Sequence, residues 1–286
     1  MTRWLVTGAG GMLGRDVMAS LRARREAVLG MPRSGLDISD GAAVRALICD
    51  YRPTVVINCA AWTAVDAAEA DEASALAVNG RGARNLAEAC QVAGARMAHI
   101  STDYVFAGDA DRPYTEHDRP APRTAYGRTK LAGEQAVLRA LPSDSLILRT
   151  AWLYGGTGPS FVHTMMKLAA TAADIDVVAD QRGQPTWTLD VAQQVIALAA
   201  AGSAGIYHAT SSGEGTWFDL AGEVFCLLGA DPARIRPTTS EAFSRPAMRP
   251  AYSVLSHGRH RSGPVEPIDD WRKALRRAWP TLSTAG

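Results

Sequence analysis

The chain has 286 residues, enough for one large α/β domain or for a cofactor domain carrying a smaller lobe. Its 30 basic and 29 acidic residues leave a net charge of +1, so no broad field draws it to nucleic acid or to a membrane surface. Cys49, Cys59, Cys90 and Cys226 are scattered without a CxxC pair, and three sit in apolar or helical surroundings. They read as reduced, buried thiols of a cytoplasmic protein, not as disulfides or a zinc site.

The start, Met1 to Gly8, runs directly into a strand, as expected of a chain without a signal peptide, and no apolar run is long enough to span a bilayer. Trp4 to Thr7 reads as the first strand and Met12 to Ala23 as the helix after it. Ala27 to Gly30 is a weaker strand, Ala42 to Tyr51 a helix, and Thr54 to Asn58 a buried strand. Ala73 to Ala93 reads as one long helix, Met97 to Ser101 as a strand, Thr124 to Ala140 as a helix and Leu146 to Arg149 as a strand. This alternation predicts an α/β fold with a doubly wound parallel sheet. Beyond Tyr154 the pattern loosens into Gly- and Pro-rich loops. A helix at Val191 to Ala200, a strand at Ile206 to His208 and a tail helix at Trp271 to Trp279 follow. No internal repeat is visible. The expected organisation is a dinucleotide-binding domain over 1–154 plus roughly 187–212, and a substrate lobe over roughly 155–186 and 213–286.

The first strand and helix are joined by Gly8-Ala9-Gly10-Gly11-Met12-Leu13-Gly14. Gly8, Gly11 and Gly14 have the spacing of a dinucleotide loop: one glycine for the tight turn, one for backbone approach to a pyrophosphate, one for helix–strand packing. Amide N–H groups and the helix dipole then meet the phosphates. The second strand runs into Met31-Pro32-Arg33-Ser34 without the acid that a ribose 2′-hydroxyl would call for. Arg33 is either a partner for a 2′-phosphate or a surface side chain, and the reading favours NADPH, with NADH the alternative. Asp37, beside Ile38, either borders the adenine or caps the helix starting near Asp40. The small residues Cys59, Ala60 and Ala61 after the third strand either let backbone pass the cofactor or serve helix–sheet packing.

Ser101-Thr102-Asp103-Tyr104 follows the fourth strand, at the carboxyl edge where doubly wound sheets bind ligands. Tyr126 and Lys130, four apart on the next helix, share a face. A cation beside a phenol favours phenolate, so Lys130 is expected to lower the Tyr126 pKa. Such a phenol protonates a carbonyl oxygen while a hydride reaches the carbon, with the Thr102 hydroxyl positioning that oxygen.

The glycine loop, Asn58-Cys59-Ala60-Ala61, Ser101 to Phe106, Tyr126 to Glu134 and Arg149 to Gly155 together resemble the extended short-chain dehydrogenase/reductase superfamily, of Rossmann type. More narrowly, Trp62 to Glu69, Asp180 to Thr186 and Arg245 to Ser253 make the chain similar to the dTDP-4-dehydrorhamnose reductase family. The resemblance implies an oxidoreductase acting on a nucleotide-linked 4-keto-6-deoxyhexose, with Thr102, Tyr126 and Lys130 as the catalytic set. It implies that Gly8, Gly10, Gly11, Met12, Leu13, Gly14, Arg33, Asp37, Ile38, Ala60, Ala61, Thr63, Tyr126 and Lys130 adjoin the cofactor. Thr63, Val65, Thr102, Asp103, Tyr104, Tyr126 and Trp152 would face the sugar, and Arg249 would lie near the diphosphate.

Some members are metal-linked dimers. Here Asp16 retains one acid, but Leu189 aligns with the second and Asp190 is offset on the helix, so no metal is expected, and monomer and homodimer both stay open. His257 and His260 read as solvated loop residues. Two other functions are weighed: an epimerase or dehydratase with tightly bound NAD, and a regulatory subunit of methionine adenosyltransferase type. No Glu follows Thr102-Asp103, as a dehydratase would need, and the complete Thr-Tyr-Lys set argues against the regulatory subunit.

Overall fold

The computed structural model describes residues 2–171, 173–261 and 263–283. Met1, Ala172, Ser262 and Thr284 to Gly286, which fall within the expected domain ranges, lie outside the described residues. Strands β1 (Arg3–Thr7), β2 (Ala27–Met31), β3 (Val55–Asn58), β4 (Arg96–Thr102) and β5 (Ser145–Thr150) alternate with helices α1 (Met12–Ala23), α2 (Gly41–Tyr51), α3 (Val65–Ala70), α4 (Glu72–Leu76), α5 (Ala83–Ala93) and α6 (Ala125–Ala140). The sheet runs β2-β1-β3-β4-β5 and ends on the strand Gly205–His208, all parallel. One face packs α1 and the helix Thr188–Ala200, through Val17, Leu21, Val191 and Val195. The other packs α2, α5 and α6, through Ile48, Leu86, Cys90 and Val137. Chain order reverses between β1 and β3, the switch point where a crevice opens at the carboxyl edge.

A buried amide pins that point. Asn58 Oδ1 accepts from the Thr7 hydroxyl at 2.7 Å and from the Ala60 N–H at 3.0 Å. Its Nδ2 sits 2.9 Å from His99 Nδ1. The carbonyl oxygen is thus already used as an acceptor, so Nδ2 donates and His99 Nδ1 accepts. Burial holds that imidazole neutral, well below its ordinary pKa.

The expected helix over Ala73 to Ala93 is not continuous. Ala77–Gly82 forms a π turn between α4 and α5. Two glycines weaken the α-helix there. The extra residue delivers the Asn79 amide to the backbone of Trp62, accepting from its N–H at 2.8 Å and donating to its carbonyl at 3.1 Å. The segment beyond Tyr154 is also more regular than its glycines suggest. Ser160 caps a helix at Phe161–Ala169, and Ile175–Val178 pairs with Ile235–Thr238. These pack with the helices Trp217–Leu228 and Trp271–Ser283 around a third apolar cluster containing Tyr154, Phe225, Trp271 and Leu275.

Other expectations are corrected by packing. Cys49 and Cys226 are exposed on their helices and only Cys90 is a fully buried residue, with Cys59 half-buried. His260 is not solvated: it is 1% exposed, and its ring bridges the carbonyls of His208 and Val265 at 3.0 Å each. His257 contacts the Thr210 hydroxyl at 2.9 Å. Asp40, not Asp37, caps α2 by accepting from Ala42 and Ala43 N–H.

At Gly133 of α6, a Cβ would lie 2.2 Å from the Asn79 carbonyl, so the helix seats on the π turn only without a side chain. Gly133→Ala should destabilise the fold by about 1–3 kcal/mol, read as a lower urea midpoint at unchanged slope. Burial pushes the thiols of Cys59 and Cys90 up to about 12. Ellman's reagent should therefore label Cys49 and Cys226 in the native protein and reach the other two only after denaturation.

Candidate active site

A cleft of about 1810 Å³ opens over the switch point, and every site residue expected from the sequence lines it. At one end Gly8 adopts φ +69°, and a Cβ there would lie 2.5 Å from Ala60 N. The two loops cross backbone on backbone, which is why position 8 carries no side chain. Gly11 is the N-cap of α1 and no side chain caps that helix, so its positive end faces the cleft. Arg33, Asp37 and Ile38 line the adjoining wall. Asp37 accepts from the Ser39 hydroxyl and N–H, at 2.7 and 2.9 Å, which hold its carboxyl below the usual range.

At the sheet edge, Thr102 ends β4 and donates to Asp103 Oδ1 at 2.9 Å. It also accepts from Tyr104 N–H at 3.3 Å. Asp103 is 2% exposed, and burial lifts its carboxyl to about 6 against hydrogen bonds from Ser253 and Thr102. Thr124 caps α6 through Gly127 N–H at 3.0 Å, and Glu69 of α3 accepts from Ala125 N–H at 2.8 Å. Arg128 grips Glu72 with both arms, at 2.9 and 2.6 Å. These ties fix the first turn of α6 and hence Tyr126, whose ring meets Tyr104 edge-on at 5.6 Å.

Lys130 is 2% exposed and donates from Nζ to the Ile100 carbonyl at 2.6 Å. The expectation that it lowers the Tyr126 pKa is not met in this arrangement. Burial raises the phenol to about 12, opposed by a hydrogen bond with Thr102. The ammonium points into the sheet edge, and burial lowers its own pKa to about 8 against the field of Glu134.

Segments beyond β5 supply the opposite wall. Trp152, at φ +46°, stacks on Trp217 with centroids 3.6 Å apart and planes within 6°. Trp217 Nε1 donates to Gln181 at 2.9 Å, and Phe161 packs 4.7 Å from the Trp217 ring. Sequence reasoning missed Trp217, Phe161 and Gln181, because nothing local signals a wall assembled from three distant segments. Arg249 lines the cleft mouth, but its guanidinium is engaged by Asp66 at 2.9 and 2.7 Å rather than left open for phosphate.

Asp16 accepts from Thr188 at 2.5 Å, Asp190 accepts from Arg277 at 2.7 Å, and Leu189 packs against the lobe cluster. Among the described residues no group of three or more His, Cys, Asp or Glu is placed to hold a metal ion, and no described helix is long and apolar enough to cross a membrane. Chemically, the cleft offers two hydroxyls at one spot, a buried cation beside them, a helix N-terminus for an anion, and a wide aromatic wall.

The family model described as the RmlD substrate binding domain matches residues 2–283. A dTDP-4-dehydrorhamnose reductase of Streptomyces griseus is 55% identical over 285 residues, covering 98% of this chain and 94% of that protein. A dTDP-4-keto-6-deoxy-D-glucose reductase of Streptomyces niveus is 52% identical over 281 residues, covering 98% of each. Among solved structures, a dTDP-4-dehydrorhamnose reductase of Bacillus anthracis in complex with NADP superposes with a TM-score of 0.93 at 36% identity, covering 98% of this chain and 99% of that one.

Proposed function

The chain belongs to the RmlD substrate binding domain family, and on that premise we propose that it reduces the C4 carbonyl of a dTDP-linked 4-keto-6-deoxyhexose with NADPH. The observation that carries the reading is the convergence of Thr102, Tyr126 and Lys130 at the carboxyl edge of β4, inside one cleft with the glycine loop. The cofactor fits what is present. An uncapped helix N-terminus suits a pyrophosphate, the Gly8 crossing leaves no side chain in the way, and Arg33 with Ser34 suits a 2′-phosphate. Asp37, Ile38, Ala60, Ala61 and Thr63 border the same groove.

When bound, NADPH supplies the hydride to C4. Tyr126 donates the proton to the C4 oxygen, and Thr102 hydrogen-bonds that oxygen and aligns it. Lys130 Nζ, held at the Ile100 carbonyl, offers its remaining donors to a ribose hydroxyl of the cofactor. A phenol near 12 in the free protein is kept protonated until the carbonyl arrives, as a general acid must be. Val65, Asp103, Tyr104 and Trp152 border the sugar, and Arg249, exchanging Asp66 for phosphate, engages the diphosphate.

We read 1–154 with roughly 187–212 as the cofactor part and roughly 155–186 with 213–286 as the substrate lobe; the separate third apolar cluster supports this. One chain carries the glycine loop, Thr102, Tyr126 and Lys130 in the same cleft, and monomer and homodimer both fit that. Four unpaired thiols and a need for reduced nicotinamide support action in the cytoplasm.

Tyr126→Phe should lower kcat by about 10²–10⁴-fold with NADPH affinity retained, measured as absorbance loss at the nicotinamide band with dTDP-4-dehydrorhamnose. Near wild-type turnover would reject the assignment. Arg33→Ala should raise KM for NADPH about tenfold and leave KM for NADH in place.

A further inference from the structure

One buried ion pair is not accounted for by this chemistry. Glu134, one turn beyond Lys130 on α6, meets Arg149 of β5 with both carboxylate oxygens, at 2.9 and 2.7 Å. Both side chains are 1% exposed. Pairs this deep rarely repay their desolvation, and an apolar pair of the same volume commonly serves the fold as well. The pair also leaves Arg149 Nη1 without a partner among the described residues, with the guanidinium 4.9 Å from the Phe106 ring centre.

The stripe Tyr126, Lys130, Glu134 repeats every fourth residue and so lies along one face of α6. Around Lys130 stand Cys59 after β3 and His99 of β4, with Tyr126 one turn before it and Glu134 one turn after it on its own helix. Of these, His99 is held neutral and the Cys59 thiol is held protonated. Glu134 is therefore the anion whose field supports the ammonium, and Arg149, whose charge cannot be shed, clamps that carboxylate in place.

We propose that Glu134 and Arg149 are positioning residues for the reduction: Glu134 keeps the buried Lys130 ammonium charged, and Arg149 fixes Glu134 where it does so. This rests on the reading of Lys130 as part of the catalytic set. Loss of the Glu134 charge leaves Lys130 in the same dry site with no balancing anion, and the ammonium relieves the cost by releasing its proton.

The test is the pH profile of kcat/KM for NADPH, which reports groups of the free enzyme. The wild type should show a basic limb near pH 8, where Lys130 loses its proton. In Glu134→Gln that limb should move down by about one pH unit, with activity at pH 7 falling about twofold and recovering towards acid. That variant also strands Arg149, so a lower Tm accompanies it. The double variant Glu134→Gln with Arg149→Met removes the stranded charge. Its Tm should return towards wild type while the limb stays shifted. A purely structural pair predicts that limb and Tm recover together, and a double variant with the wild-type limb would overturn the proposal. A wild type with no basic limb would instead remove the catalytic reading of Lys130 on which it stands.

Discussion

The burial of charge along one face of α6 is the constraint around which the site is organised. Tyr126, Lys130 and Glu134 project in register towards β4 and β5, where the Ile100 carbonyl and Arg149 receive them. Buried charges tolerate little displacement, because each lost hydrogen bond leaves an uncompensated group in a low dielectric. The helix is therefore held from several sides. Gly133 lets it sit on the π turn, Glu69 caps its first amide, and Arg128 ties it to α4. The π turn contributes directly as well, since Asn79 donates to the Thr129 hydroxyl at 3.1 Å while also holding Trp62. Helix position, the loop after β3 and the phenol are thus mechanically one unit.

The second organising contact is the backbone crossing of the β1–α1 loop over the end of β3. It brings an uncapped helix N-terminus to the groove without any side chain between. The groove floor beside the glycine loop is in this way made of main chain, which is insensitive to rotamer choice. The aromatic wall facing it is the reverse. It depends on the stack of Trp152 on Trp217, on the amide of Gln181 and on the Asp66–Arg249 pair, all side chains drawn from distant segments. A family that keeps the chemistry and varies the sugar would be expected to vary this second wall, because changes there leave α6 and the glycine loop untouched.

Local pattern was sufficient for the sheet and its helices, because a buried parallel strand and an amphipathic helix each write their burial into a few consecutive residues. The glycine loop, Thr102, Tyr126 and Lys130 were legible for the same reason: each is a short motif with a local geometric meaning. The π turn was not, since the glycines of Ala77–Gly82 only permit a bulge, and what draws it out is the backbone of Trp62, outside that helix. The helix at Phe161–Ala169 was obscured by the glycines before it, and the outward orientation of Cys49 and Cys226 by the apolar residues around them.

The sequence by itself determined the parallel α/β architecture, the glycine loop and the sharing of one helix face by Tyr126 and Lys130, because these rest on backbone conformation and on spacing within one helix. The tertiary structure decided the electrostatics. Whether Lys130 acts on Tyr126 or is turned to Ile100, whether Arg249 is open or paired with Asp66, and whether Glu134 faces solvent or Arg149 all depend on which groups meet across the sheet edge and how much water lies between them. Desolvation and partner geometry set the sign of each effect, and neither is encoded in the neighbours of a residue along the chain.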